Sequence, residues 1–295
     1  MRAICLYSVA GEGEKSNGLF FKKAVFGLPS KLVTERMMKK WFFRIFWIFG
    51  AVYGGLTMLS CSIADRMIFQ PPTPTYSAST EGLVRFGKEE EFAGLFFPAQ
   101  FEDAPVLLWG HGNAEDAGHF SELALQFQAR GISVFVYDYP GYGLSAGEPN
   151  EAGTYQAADE AYRFLLEDKK ISPERIFLLG QSVGGGPSTY LAEKVDAKGL
   201  ILISPFKSAF RVVTKVKVLP WDRFDNWKRM PKVEMPLLLI HGENDQLIPV
   251  AHGRALFDRH KGPKEFLKLE GTGHNDLWMR PELMEAILRF VEKTS

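Results

Sequence analysis

Residues 175–186 read RIFLLGQSVGGG: a short apolar run, then Gly180-Gln181-Ser182-Val183-Gly184, then two more glycines. G-x-S-x-G is a weak signal by itself. With a strand before it and a helix after it, it becomes a sharp turn that lifts the serine clear of a sheet, a nucleophile elbow. Glycines two positions either side of Ser182 leave room for a strained backbone, and Gly185 and Gly186 are expected to let the helix pack closely on the strand. Pro187 falls in the first helical turn, where few backbone bonds are lost.

Outward from the elbow, short apolar runs alternate with helical sequence. Strands are expected at Leu83–Phe86, Phe92–Phe97, Val106–Trp109, Ser133–Tyr137, Arg175–Gly180, Leu200–Ile203, Leu237–Ile240 and Phe266–Leu269. Helices are expected near 119–130, over 154–166, after Ser182, and at 282–292. Buried apolar strands alternating with amphipathic helices imply an α/β fold: a mostly parallel, twisted sheet covered on both faces, with the first strand pair as its antiparallel edge. The stretch 206–232 is too long for a simple connection and is expected to form a short cap insertion.

A serine hydroxyl attacks only when a base takes its proton. His274 stands in GTGHND directly after the last expected strand, and Asp245 stands in HGENDQLIP directly after LLLI. Both are on loops at the C-terminal ends of parallel strands, where the sites of open α/β sheets gather. The order Ser182, Asp245, His274 is a known catalytic order for this elbow. Asp276 is a rival acid on the wrong strand, Asp138 is read as a turn residue, and His241 is expected to support the Asp245 loop. His252 and His260 are expected at the surface.

With WGHGNAED, YDYPGYGLSAGEP, SPFKSAFRVV, FDNW and IHGENDQLIP, the chain from about Ile68 onward resembles the α/β-hydrolase superfamily. It looks like the Bem46 and serine-aminopeptidase-like (S33) branch, which includes membrane-associated acyl-protein thioesterases. The resemblance implies Ser182 as nucleophile, Asp245 as triad acid and His274 as base. It further implies an oxyanion hole from the N–H groups of Val183 and Asn113, in His111-Gly112-Asn113-Ala114. The expected substrate is an acyl ester or thioester, cleaved through an acyl-enzyme on Ser182. A peptidase, an acyltransferase and a non-catalytic tethered scaffold stay open as alternatives; a peptidase would need a carboxylate for the substrate's amino terminus, which only Asp222 and Asp225 offer in the cap.

The N-terminal sequence is of another kind. Residues 1–60 hold nine Lys/Arg against three Asp/Glu, although the whole chain balances 35 against 35. Ile45–Ala64 is twenty residues without a charge, enough to span a membrane, preceded by Lys39, Lys40 and Arg44. Read from Met37, the segment resembles a bacterial lipoprotein signal peptide, with Ser60 before Cys61. Met58 replaces the usual Leu and Leu59 is bulky for its place. Residues 1–36 are expected to precede the true start, 37–64 to be a lipoprotein-type signal or an anchor, 65–80 a spacer, and 81–295 the hydrolase domain. Cys61 is the expected lipidation site, and the expected location is a bacterial cell envelope, membrane-anchored, with the catalytic domain outside the cytoplasm; Ser62, where an acid would favour inner-membrane retention, leaves the outer membrane open.

Even charge argues against a nucleic-acid partner, and two cysteines exclude a disulfide scaffold. The spacing of His111, Glu115 and His119 would align metal ligands on a helix, but Gly112 and the resemblance put His111 in a turn. No metal or cofactor is expected. Residues 206–232 carry eight Lys/Arg and two Asp/Glu among aromatic residues; they read as a solvated surface, or more sharply as a face resting on anionic lipid.

Overall fold

The computed structural model describes residues 31–214 and 221–295. The side chains at 59–63, Cys61 included, lie outside the described residues, as do residues 215–220 of the expected cap. The chain forms two compact units, Met1–Leu56 and Thr57–Ser295.

Helix α1 (Lys31–Ile68) supplies the described part of the first unit. Within it, Glu35–Met58 is long and apolar enough to cross a membrane by length and composition. Trp41, Phe42, Phe43, Phe46, Trp47 and Phe49 are all exposed on it, an arrangement that water does not favour for so many large apolar side chains. The helix starts earlier than the apolar run because Lys and Arg at helical spacing do not interrupt it.

In the second unit, the stretch expected as a spacer holds the last turn of α1 and a segment without regular structure. Phe69 and Tyr76 in that segment are buried. Prolines at 71, 72 and 74 keep it extended, and its aromatic side chains tie it down.

Eight strands make one sheet in the order β1-β2-β4-β3-β5-β6-β7-β8: β1 (Leu83–Phe86), β2 (Phe92–Phe97), β3 (Val106–Gly110), β4 (Ser133–Tyr137), β5 (Ile176–Gln181), β6 (Gly199–Ile203), β7 (Leu237–Gly242) and β8 (Lys264–Leu269). β1 pairs antiparallel with β2, and β2 with β4; from β4 to β8 all pairs are parallel. Period-two alternation sends neighbouring residues into opposite layers. In β3, Val106 and Leu108 join one core with Ala157, Ala161 and Leu165 of α3 (Glu151–Glu167). Leu107 and Trp109 join the other, with Phe127 of α2 (Ser121–Gln128) and Ile287 and Phe290 of α8 (Pro281–Thr294). Each such side chain taken fully from water contributes about 1.5–3 kcal/mol. Helices α4 (Gly185–Lys194) and α7 (Ala251–Arg259) complete the layers. The sequence reading passed over α7, whose segment has few apolar positions to mark a period.

Between β6 and β7, α5 (Ala209–Thr214) and α6 (Asn226–Arg229) belong to the cap stretch. Phe224 is fully buried there, with ring centroids 5.9 Å from Phe69, 5.6 Å from Tyr155 and 6.4 Å from Phe206. It packs on Gly186, so that glycine admits the cap rather than a strand. Five of the six described cap cations are ion-paired: Arg211 with Asp222, Arg223 with Asp65 and Glu151, Lys228 with Asp225, and Arg229 and Lys232 with Glu193. Their positive charge is largely matched by the protein's own carboxylates, which weakens the reading of this face as a platform for anionic lipid.

Candidate active site

β5 ends at Gln181 and is followed directly by Ser182, a buried residue with φ of +52°. Few residues other than glycine adopt that region, and strain of this kind collects at functional turns. The glycines around it are required by close approach. A Cβ on Gly184 would overlap the Gly110 carbonyl, and one on Gly180 would meet the Gly184 carbonyl oxygen at 2.5 Å. The start of α4 therefore sits directly over the end of β3.

β7 and β8 are neighbours in register, Gly242 opposite Leu269, and their C-terminal loops are stitched together. Glu243 N–H donates to the Leu269 carbonyl and Asn244 N–H to the Thr272 carbonyl, both at 2.9 Å. This brings Asp245 and His274 side by side. His274 Nδ1 is 2.6 Å from Asp245 Oδ2, and His274 Nε2 is 3.2 Å from Ser182 Oγ. Asp245 Oδ1 accepts the N–H groups of Leu247 at 3.0 Å and Ile248 at 2.7 Å. Burial opposes the charge on Asp245, yet the neighbouring imidazoles of His241 and His274 and the Ile248 amide hold its carboxyl well below the usual carboxylate range. An ionised Asp245 favours the Nδ1–H tautomer of His274, which leaves Nε2 as an acceptor toward the Ser182 hydroxyl. His241 Nε2 donates to the Ile248 carbonyl at 2.7 Å and stands 3.5 Å from Asp245 Oδ2. It supports the acid loop through that carbonyl rather than by a direct hydrogen bond to the carboxylate.

The loop after β3 lies beside the elbow, because Gly110 is in register with Gly180. His111 is fully buried, its Nδ1 donating to the Gly112 carbonyl at 2.8 Å and its Nε2 3.2 Å from Asp138 Oδ1. Burial pushes this imidazole down, but acceptors at both nitrogens, Asp138 foremost, outweigh it and hold it above its ordinary range. Asn113 Oδ1 accepts the Gln70 N–H and the Tyr142 hydroxyl, both at 2.8 Å. Glu115 Oε2 accepts the Gly112 N–H at 2.9 Å.

Burial pushes the Glu115 carboxyl up, against the lowering influence of His111, His119 and His274 nearby. A raised carboxyl pKa means that the folded state holds the proton more tightly. Stability is then full below the ordinary carboxyl value and falls as pH rises through the folded value. Glu115→Gln carries no such proton, so it is expected to resist urea better than wild type near neutral pH, with the advantage shrinking in acid. An advantage independent of pH in urea titrations would contradict this account.

The other singled-out residues fall elsewhere. Asp276 Oδ2 accepts the Gly273 N–H at 3.3 Å, a turn contact. Asp138 is buried among His111, Tyr76 and the Ala117 N–H, an internal anchor more than a turn residue. His111 faces Asp138 and His119 Nδ1 faces Asp116 at 2.8 Å, so the spacing that suggested metal ligands does not converge. His252 and His260, expected at the surface, are buried. Burial beside Lys207, His241 and Arg211 pushes His252 down to about 4; its Nδ1 accepts the Lys207 N–H at 3.3 Å. His260 Nε2 donates to the Met235 carbonyl at 3.0 Å. Sequence reasoning passed over Gln181 and Trp278. Trp278 Nε1 donates to Gln181 Oε1 at 2.7 Å and packs on Trp109 with ring centroids 4.8 Å apart, steadying the residue before Ser182. An aromatic residue four positions after His274 was the only signal for it.

Comparison with known proteins agrees with this fold. The family described as serine aminopeptidase, S33, matches residues 102–224. Alpha/beta hydrolase domain-containing protein 17B of Homo sapiens is 33% identical over 263 residues, covering 78% of this chain and 91% of that protein. Protein 17C of Mus musculus is 37% identical over 235 residues, covering 79% and 73%. Among solved structures, a monoacylglycerol lipase of Paleococcus ferrophilus superposes with a TM-score of 0.55 at 22% identity, over 70% of this chain and all of that one; this likeness shows the fold. The chain is a hydrolase that belongs to the α/β-hydrolase superfamily, in its serine aminopeptidase (S33) branch.

Proposed function

We propose that the protein is a membrane-tethered serine hydrolase that cleaves carboxylic esters or thioesters. The observation that carries this is the relay from Ser182 Oγ through His274 to Asp245, at 3.2 Å and 2.6 Å. His274 Nε2 takes the hydroxyl proton as Ser182 Oγ attacks the acyl carbon. Asp245 holds the imidazole's tautomer and stabilises its charged form. The Val183 N–H, at the unpaired start of a helix, receives the developing oxyanion. Because Glu115 occupies the Gly112 N–H, the next amide along, that of Asn113, is the second donor. His274 then protonates the leaving group, and the acyl-enzyme is released by water that His274 activates.

The cap supports esters and thioesters over peptides. Asp222 accepts from the Ser208 hydroxyl at 2.5 Å and from the Phe210 N–H at 3.1 Å, and faces Arg211. Asp225 caps α6 through the Lys228 N–H. Both carboxylates already have partners within the protein, so neither stands ready for a substrate's amino terminus. A fluorophosphonate probe and a series of p-nitrophenyl esters and acyl thioesters of increasing length test the reading. Turnover of neither series, with no labelling of the full chain, would refute it.

In this proposal α1 first carries the chain to the membrane, its Glu35–Met58 window meeting the length and polarity of a span; once the chain is cleaved before Cys61, a lipid on that residue becomes the tether. Cys61 follows as the lipid-carrying residue of a bacterial envelope lipoprotein, with the catalytic domain outside the cytoplasm. Metabolic labelling with a palmitate analogue is expected in the wild type and absent in Cys61→Ser; label persisting in the variant would remove the lipid from the proposal and leave an uncleaved anchor.

A further inference from the structure

The extended segment 69–76 is joined to the loop after β3 at several points. Gln70 N–H donates to Asn113 Oδ1 at 2.8 Å and lies 3.0 Å from the Tyr142 hydroxyl, which itself donates to Asn113 Oδ1. Thr75 N–H donates to Asp116 Oδ2 at 2.7 Å, and its hydroxyl donates to Asp116 Oδ1. The Tyr76 hydroxyl donates to Asp138, the carboxylate that faces His111 Nε2 and accepts the Ala117 N–H. Phe69 is buried, its ring centroid 6.4 Å from Tyr142 and 5.9 Å from Phe224. Glu115 secures Gly112 from within the loop.

We propose that residues 69–76 are a positioning strap for the oxyanion loop. The strap never touches substrate. It acts through Asn113, whose side chain it pins so that the backbone N–H keeps its aim at the acyl oxygen. This rests on the reading of that N–H as an oxyanion donor. A donor contributes most when it needs no reorganisation at the moment of reaction, and a displacement of about 1 Å in a catalytic group is enough to cost about 100-fold. A surface loop left alone would wander. One tied at 113, 116 and, through Asp138, at 111 and 117 does not. The strap follows Cys61, so it stays in the chain whether or not cleavage occurs before that residue.

Full-length variants test this through kcat, KM and amide hydrogen exchange. The double variant Thr75→Ala/Tyr76→Phe is expected to lower kcat about 10-fold with KM within about twofold, and to speed exchange at residues 111–117. Asn113→Ala is expected to do the same without altering the strap, and Asn113→Asp, which keeps an oxygen for both donors, to recover most of the loss. Thr73→Ala, on an exposed strap residue, is expected to match wild type. An unchanged kcat in the double variant and in Asn113→Ala, with or without faster exchange, overturns the strap, as does a loss confined to KM. Normal wild-type turnover with those null results would overturn the strap alone, whereas a wild type with no Ser182-dependent turnover would overturn the hydrolase reading along with it.

Discussion

With alanine at position 182, kcat for ester or thioester hydrolysis is expected to fall by about 10⁶, with little change in the binding of substrate. The size follows from the relay acting as a unit. Once Oγ is gone, His274 has no nucleophile to deprotonate, and Asp245 has no imidazolium to stabilise. What remains is the pull of the oxyanion groups on a carbonyl attacked by stray water, a residual of about 10³–10⁴ over the uncatalysed rate in comparable sites. The substitution leaves the elbow intact. The φ of +52° strains Ala much as it strains Ser, and the Gly180 and Gly184 approaches are untouched. A urea midpoint close to wild type is therefore expected beside the lost activity, and fluorophosphonate labelling should vanish with it. Turnover within about tenfold of wild type, in a folded variant, would mean that Ser182 is not the nucleophile.

The residues behind that prediction were legible because each announces itself locally. Ser182 sits in a five-residue motif, Asp245 follows the apolar run LLLI of a buried strand, and His274 follows Phe266–Leu269 on the edge strand. The parallel sheet follows from the same runs, since β3 and β5 to β7 are buried along their whole length. The segment 69–76 was not legible. Its prolines and threonines have the composition of a linker, and a lone tyrosine carries no periodicity to say that its hydroxyl meets Asp138. The same limit applies to Glu115. Its neighbours His111 and His119 suggested a helical ligand row, but Ala114, with φ of +57°, breaks the helix the row would need and turns Glu115 back onto the Gly112 amide. The cap has eight cations and only two acids of its own, Asp222 and Asp225, and the other carboxylates its cations meet, Asp65, Glu151 and Glu193, are far away along the chain. Contacts with long sequence separation and no repeating pattern are what a single sequence hides.

Asp245→Asn probes the relay from its far end, and its effect separates the acid's charge from its shape. The variant keeps an oxygen to accept the Leu247 and Ile248 N–H groups, so the loop should hold. Its amide nitrogen then faces His274 Nδ1 and can only donate. The imidazole must accept there, its proton moves to Nε2, and Nε2 presents a hydrogen to a hydroxyl that it should be deprotonating. A fall of about 10⁴ in kcat is expected from this reversal alone. Stability supplies a second, independent readout with a definite sign. Because the folded carboxyl is held below its ordinary value, the ionised form stabilises the fold above the unfolded pKa of about 4, and that contribution drains away as pH falls toward the depressed value. Urea titrations should therefore show wild type more stable than Asp245→Asn near neutral pH, with the gap closing in acid. A variant that loses activity but shows a gap independent of pH would point to disturbed packing of the 242–248 loop. A variant that retains activity would show that His274 finds its tautomer without this carboxylate, and the assignment of Asp245 as the triad acid would fall.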